Sequence, residues 1–390
     1  MRRAAYIPVL GSILLLTAAS ASAQETVGDV IGFLVTNQAV VTSDAARDRA
    51  AAEAARTTIS NALLFNLASV PLASSSTGFL YRFNSDLGTV ERATESFGSF
   101  FVERALTAGR GRASFGISAF TSGFDDLNGA NLRDGSLVTV ANKFRDEAAS
   151  FDTETLTLKV RSSTMTLFGS IGITDRLEVG AAVPLVDLSL EGERRNQYFG
   201  NPFLQASGDA SASGLADIAL RAKYGVASSR TAAFAIAGEV RLPTGDSDNL
   251  LGAGSTGYRF MGIGSYETGR VALSGNAGVV FGGVSNEMIF SGAGSYAASQ
   301  RVTVTGEMLV RRVTELRNTE LVSAPHPTIV GVDTLRLSTT GSGLTLANAV
   351  AGVKWNISGT LVLGGHVAFP LVSRGLTAPP TPTVALEYRF

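Results

Sequence analysis

The chain has 390 residues, 32 Lys+Arg against 33 Asp+Glu, and no cysteine. No basic excess exists to neutralise phosphates, so an electrostatic nucleic-acid partner is excluded. Without Cys there is no disulfide scaffold, thiolate metal site or thiol nucleophile. With only His326 and His366, no His-rich metal site is available, and neither a metal nor a cofactor is expected.

Residues 1–23 carry the three parts of a secretory signal peptide: Arg2-Arg3, an apolar run from Ala4 to Leu16, and Ala21-Ser22-Ala23 before the expected cleavage at Gln24. The apolar run is too short for a membrane anchor. No later stretch reads as a transmembrane helix, so a mature chain that enters a membrane must do so as strands.

Residues 24–109 form a lead of different character. From Ser43 to about Ala68 the sequence is Ala-rich, with Ile59, Leu63 and Leu67 on one helical face, Ser43-Asp44 as N-cap and Pro71 beyond the end. Its apolar side needs a surface, and we expect it to fold into a lumen as a plug together with Val27–Val41. No function is assigned to Asn61–Thr77 or Phe97–Arg112.

From Arg110 to Phe390 the period becomes two. Ile218, Leu220, Ala222 and Tyr224 share one face while Asp217, Arg221 and Lys223 share the other, and later strands follow the same rule. Twelve strands are expected, over 110–122, 153–172, 177–195, 213–226, 230–243, 256–267, 270–282, 286–298, 301–315, 341–355, 359–373 and 381–390. The fold class is therefore all-β, a transmembrane antiparallel barrel. Fourteen strands is the alternative if 77–84 and 88–95 join, and both are left outside.

Four features favour a membrane barrel over a soluble sandwich, the first being that a closed barrel hides the edges of many amphipathic strands. Apart from a short connection near 283–286, tight breaks alternate with long irregular ones around 123–152, 196–212, 244–256 and 316–340, as in outer-membrane barrels. Tyr224, Tyr266, Tyr296, Trp355 and Tyr388 each precede a tight break or the chain end, which reads as a periplasmic aromatic girdle. Val384, Leu386, Tyr388 and Phe390 alternate to a terminal Phe, which reads as the signal by which barrel-assembly machinery recognises its clients.

The register assigns Asp217, Arg221, Lys223, Glu239, Arg241, Glu307, Arg311, Lys354, His366, Glu387 and Arg389 to the lumen. Their mixed signs argue for a structural network and against strong ion selectivity. In the third strand the apolar set changes parity after Leu185, which predicts a bulge at Pro184. The bulge either shapes the rim or opens a side route from lumen to bilayer.

Ile171–Leu185 (IGITDRLEVGAAVPL), Gly214–Val226 (GLADIALRAKYGV) and Arg241–Asp246 (RLPTGD) resemble, in that order, the outer-membrane transporters named for the phenol meta-degradation pathway. That family is similar in character to hydrophobic-compound and fatty-acid channels. The resemblance implies passive uptake of small hydrophobic or aromatic compounds and supplies no catalytic residue. The expected partners are outer-membrane lipid, barrel-assembly machinery and a small apolar solute. The rival functions are a structural barrel without transport and a barrel-embedded hydrolase with His366 as base. Gly252–Gly257 fits G-x-G-x-x-G but opens no helix, and 246–249 lacks the full Ca²⁺-loop pattern.

Overall fold

The computed structural model describes residues 25–36, 45–68, 81–84, 89–92, 94–316, 318–341 and 343–390. The signal-peptide expectation and the proposed cap at Ser43-Asp44 lie outside these residues, as does the side chain of Leu67. No described helix is long and apolar enough to cross a membrane; the crossing element is a sheet.

Twelve strands, numbered β1–β12, form the barrel: β1 Ala113–Phe124, β2 Ser150–Gly172, β3 Leu177–Tyr198, β4 Ala219–Ser228, β5 Ala232–Arg241 and β6 Gly257–Thr268. They continue as β7 Val271–Gly282, β8 Glu287–Ala297, β9 Val302–Val313, β10 Leu344–Asn356, β11 Leu361–Pro370 and β12 Thr381–Arg389. Each pairs antiparallel with the next, and β12 pairs with β1, so the twelve-stranded ring closes without an edge of its own. The segments around 81 and 92 stay apart as a two-stranded hairpin, Tyr81–Asn84 with Thr89–Arg92.

Alternation sorts the two faces. Leu220, Phe234, Ile236, Phe260, Leu273, Phe290, Met308 and Val353 point outward and are exposed, while Lys223, Glu239, Glu307 and Lys354 point inward and are buried. A greasy exterior over a charged interior is stable only when the exterior meets lipid.

The third strand corrects the sequence reading. β2 and β3 pair without a register shift from Gly172↔Glu178 to Asp152↔Tyr198, so β3 holds no extra residue against β2. Even-numbered β3 residues face inward throughout, from Glu178 to Val186, Leu188 and Leu190. What changes at Leu185 is the surroundings. Beyond it the outward residues become Asp187, Ser189, Glu191 and Glu193, and on β2 they become Ser163, Arg161, Lys159 and Thr157. These two strands leave the membrane near Met165 and Leu185, which are paired, and continue into water.

On the other flank of Pro184 the ladder is interrupted. Ala182 pairs with Ala219 and Leu185 with Leu215, leaving two residues of β3 opposite the three residues 216–218. The extra residue therefore belongs to the fourth strand, which the sequence reading took as continuous over 213–226. The Ala216 N–H donates to the Pro184 carbonyl at 2.9 Å across the gap.

Three of the four long breaks are ordered β structure rather than irregular loops. Leu137–Phe144, Asn201–Leu215, Asn318–Pro325 and Val332–Thr340 pair beside the outer arms of β2 and β3. Together they form a wall standing above the bilayer. Their residues are polar on both faces at many positions, which hid them from a periodicity reading.

Helices α1, Val27–Thr36, and α2, Ala45–Ala68, pack on the inner face of this wall. Thr26 and Asp29 make a reciprocal capping box, with the Asp29 N–H donating to Thr26 Oγ1 at 3.1 Å and the Thr26 N–H to Asp29 Oδ2 at 3.2 Å. Val27, Ile31 and Leu34 of α1 and Ile59 and Leu63 of α2 join Leu156, Leu158, Leu188 and Leu190 in one buried cluster. Each such side chain contributes roughly 1.5–3 kcal/mol by leaving water, which explains why inward-facing residues turn apolar above the membrane.

Candidate functional site

A second segment fills the lumen from the short-turn side. Residues 94–108, sequence TESFGSFFVERALTA, cross the barrel interior and are almost wholly buried without forming a helix or strand. Such a backbone inside a membrane barrel must find hydrogen-bond partners on the wall. The Phe97 N–H donates to Thr303 Oγ1 at 3.0 Å, Glu103 to Asn276 Oδ1 at 2.8 Å, Ala105 to Ser265 Oγ at 2.8 Å and Ala108 to Glu178 Oε2 at 2.7 Å. The carboxylate of Glu307 takes three successive donors: the N–H groups of Phe100, Phe101 at 2.9 Å and Val102 at 3.0 Å. One acidic side chain thus does for this turn what a helix N-cap residue does for a helix.

The side chains of the segment are equally engaged. Glu103 pairs with Arg221 and, at 3.5 Å, with Lys223, which also stands 3.5 Å from Glu178. Phe100 lies beneath the Lys354 ammonium, 4.5 Å from the ring centroid, while the same ammonium donates to the Ser99 carbonyl at 2.9 Å. Phe100 and Phe101 close on His366 at centroid distances of 4.3 and 5.0 Å. The segment has no period or motif from which a role could be read in sequence. Its usable signal was the pair Glu103-Arg104 inside an aromatic, Gly-containing stretch beside a barrel with excess lumenal cations.

The wall is divided. From β4 to β9 it carries a belt of charge: Arg221 is register partner of Glu239, Glu239 of Arg259, and Val280 links that row to Glu287. Glu239 gathers Arg221 at 2.8 Å, Arg241 at 3.1 Å and Arg259 at 3.4 Å, and Arg311 grips Glu287 through two hydrogen bonds of 2.7 and 2.8 Å. From β11 through β12 and β1 to β2 the same level is uncharged and rich in hydroxyls, with Thr381, Thr383, Ser118, Ser122, Ser162, Thr164 and Thr166 around Phe120.

A cavity of about 230 Å³ runs along the uncharged wall, and Asp217, Arg241, Arg311 and Arg374 line its other sides. Its floor is Phe100 and Phe101, and Asn66 of α2 reaches its outer end, donating to the Leu376 carbonyl at 3.3 Å. Beside it Phe65 stacks under the Arg311 guanidinium at 4.0 Å. Two N-terminal elements therefore flank one space: the helices at the outer mouth, and residues 94–108 below. The expected plug is helical only in its outer part.

The remaining sequence-selected residues fall as follows. Asp217 sits in the 216–218 break and accepts the Gly245 N–H at 3.1 Å and the Ala253 N–H at 2.8 Å, which ties down the loop after β5. Glu387 lies 3.8 Å from Arg389. Pro184 lines the cavity from inside. Tyr224, Tyr266, Tyr296, Trp355 and Tyr388 stand at the short-turn ends of β4, β6, β8, β10 and β12, each about half exposed on the outer face. Phe390 exchanges backbone hydrogen bonds with Ala113 at 3.0 Å. His366 makes no hydrogen bond through either ring nitrogen to a described group, so no hydroxyl–imidazole–acid chain is assembled there. No metal-ligand cluster occurs among the described residues. The 246–249 turn is closed by Asp246, whose Oδ1 accepts the Asp248 N–H at 3.0 Å and the Asn249 N–H at 3.2 Å.

Residues 110–317, more than half of the chain, match the family described as "Putative MetA-pathway of phenol degradation". The chain belongs to that family. Among solved structures, this family member is similar to an outer-membrane channel from Pseudomonas putida F1, at 13% identity over 73% of this chain and 98% of that one, with a TM-score of 0.45. It is also similar to the KdgM porin, at 9% identity over 70% and 99% of the two chains, TM-score 0.36. The NanC porin aligns at 6% identity over 70% and 98%, TM-score 0.35. No curated protein sequence matches.

Proposed function

We propose that the protein is a passive outer-membrane channel for small, neutral hydrophobic or aromatic compounds. The observation that carries this reading is the divided lumen: the cavity follows the wall that has hydroxyl, methyl and phenyl groups, while every charge of the opposite belt is already held by a partner. A neutral molecule can use such a wall without paying to strip an ion pair. The family description, with its reference to phenol degradation, points to the same solute class. Flux follows the solute gradient and calls for no cofactor. The membrane lipid meets the outward apolar band, the ring of Tyr and Trp residues sits at the periplasmic interface, and the C-terminal strand is the part offered to the assembly machinery.

A second reading, a barrel with no transport, is favoured by one observation: seven backbone N–H groups of residues 94–108 donate to wall side chains across the lumen. Liposomes containing the protein decide between them. The channel reading expects efflux of a neutral aromatic solute above that of protein-free vesicles, and a larger rate when residues 24–76 are deleted. Efflux equal to empty vesicles in both preparations would leave the structural reading.

A further inference from the structure

The uncharged wall carries an arrangement that a mere conduit does not require. His366, Thr383, Phe120 and Thr164 form one cross-strand row: His366 pairs with Thr383, Thr383 with Phe120, and Phe120 with Thr164. Ser162 lies on the same face of β2, two residues away from Thr164. All five line the cavity, and Phe120 stands between Thr383 and Thr164 in the row. His366, Thr164 and Ser162 are only 6%, 4% and 1% exposed. Yet Ser162 Oγ, Thr164 Oγ1 and both His366 ring nitrogens make no hydrogen bond to a described group. Buried polar groups are nearly always satisfied, and three unsatisfied ones on a single cavity wall mark where a bound molecule supplies the partners.

The surroundings define that molecule. Its body is apolar, because Phe120 and the Phe100–Phe101 floor offer ring faces and edges. Its charge is zero, because Arg311 is engaged by Glu287, Arg241 by Glu239 and Asp217 by two backbone N–H groups, and the remaining lining cation, Arg374, is exposed to solvent rather than buried in the cavity. Its size is that of one substituted ring: a cavity of about 150 Å³ holds benzene, and this one is about 230 Å³. Its polar end is an alcohol or ketone, which Ser and Thr hydroxyls serve as donor or acceptor.

We propose that this wall is a binding subsite for a neutral single-ring molecule bearing an alcohol or ketone group. The ring lies over Phe120, and the polar end bonds Thr164 and Ser162. The proposal deepens the channel reading above and rests on it for the route by which the ligand arrives.

The test uses the full chain in lipid nanodiscs with 4-fluorobenzyl alcohol followed by ¹⁹F NMR. Fluorobenzene serves as the probe without a hydroxyl, and 4-fluorobenzoate as the charged one. The expected result is a saturable bound signal for the alcohol, weakened about fivefold by Thr164→Val and again by Ser162→Ala, the loss of one hydrogen bond each. Fluorobenzene should bind more weakly and equally to wild type and variants, and 4-fluorobenzoate should not compete. Since the chain has two histidines, the His366 ring ¹⁵N signals, assigned with His326→Gln, should shift on saturation while those of His326 stay fixed. Equal alcohol affinity in wild type and both variants, or equal competition by the benzoate, would overturn the subsite. Binding with no efflux from liposomes would overturn the channel reading and leave the subsite standing.

Discussion

Phe100 occupies space that Gly352 leaves open. A Cβ added at Gly352 would come within 2.5 Å of the Phe100 ring and 2.6 Å of His366 Cβ, and one at Gly364 within 2.9 Å of the same ring. Two adjacent strands are thus shaved at the point where the lumenal segment presses its aromatic side chain onto the wall. The segment is fitted to the barrel, not merely contained by it.

Gly364→Val should unseat Phe100, because the nearest neighbours of an added Cβ there are side chains, the Phe100 ring at 2.9 Å and Lys354 Cγ at 3.7 Å, whereas one at Gly352 also meets the Gly365 carbonyl oxygen at 2.7 Å. Overpacking of this kind costs about 1–3 kcal/mol, and here the movable partner is the segment rather than the closed sheet. The expected outcome is a barrel that still shows heat-modifiable mobility but has higher single-channel conductance. Unchanged conductance with Phe100 still protected would show that the segment does not obstruct the lumen.

Glu103→Gln should destabilise the protein more than a surface change. It leaves Arg221 and Lys223 buried with one partner fewer each. Breaking a buried pair from one side costs about 3 kcal/mol. The barrel-to-unfolded transition followed by gel mobility should move to lower temperature, and a second change, Lys223→Met, should recover part of the loss.

Gly192→Leu should displace α1 while leaving the membrane barrel intact. A Cβ at Gly192 overlaps Leu34 Cδ1 and touches Leu158 Cδ2 at 3.0 Å, and Arg194 on the same face donates to the Leu34 carbonyl at 2.7 Å. Limited proteolysis should then cut within Val27–Thr36 in the variant and spare it in the wild type.

Acid should loosen the same helix at its other attachment. The Val27 N–H donates to Asn249 Oδ1 at 3.2 Å and the Gly28 N–H to the Asp248 carbonyl at 3.0 Å. The turn that presents them is built by Asp246, whose carboxyl is held below its ordinary range, first by the Asn249 side chain and then by the Asn249 and Asp248 N–H groups. Asp29 is lowered in the same direction by Thr26. A lowered carboxyl contributes stability above its unfolded value, near pH 3.9, and loses it as pH falls through the folded value. Exchange protection of the Val27 and Gly28 amides should hold from neutral pH to about pH 5 and fall below about pH 4. In Asp246→Asn the fall should be smaller.

The barrel was legible in the sequence because its physics is local. Alternation along β4 to β12 fixes which side chains meet lipid, and tight turns fix which strands are neighbours. The parity change after Leu185 was legible too, but its cause was not. A bulge and a change of surroundings leave the same trace in one strand, and only the unbroken pairing of β2 with β3 separates them. The hydroxyls of β1, β2 and β12 gave no signal individually, since Ser and Thr are ordinary strand residues.

By itself, then, the order of residues determined a closed antiparallel barrel of twelve strands, its lipid face and its charged interior, since a period of two leaves each side chain only two places to go. Tertiary structure alone decided what fills that interior. Residues 94–108 have no period to read, because an irregular backbone is held by partners such as Glu307, Asn276 and Glu178, distant in the chain. The row from His366 to Thr164 likewise exists only because closure sets β12 beside β1, bringing residues more than 200 positions apart onto one wall.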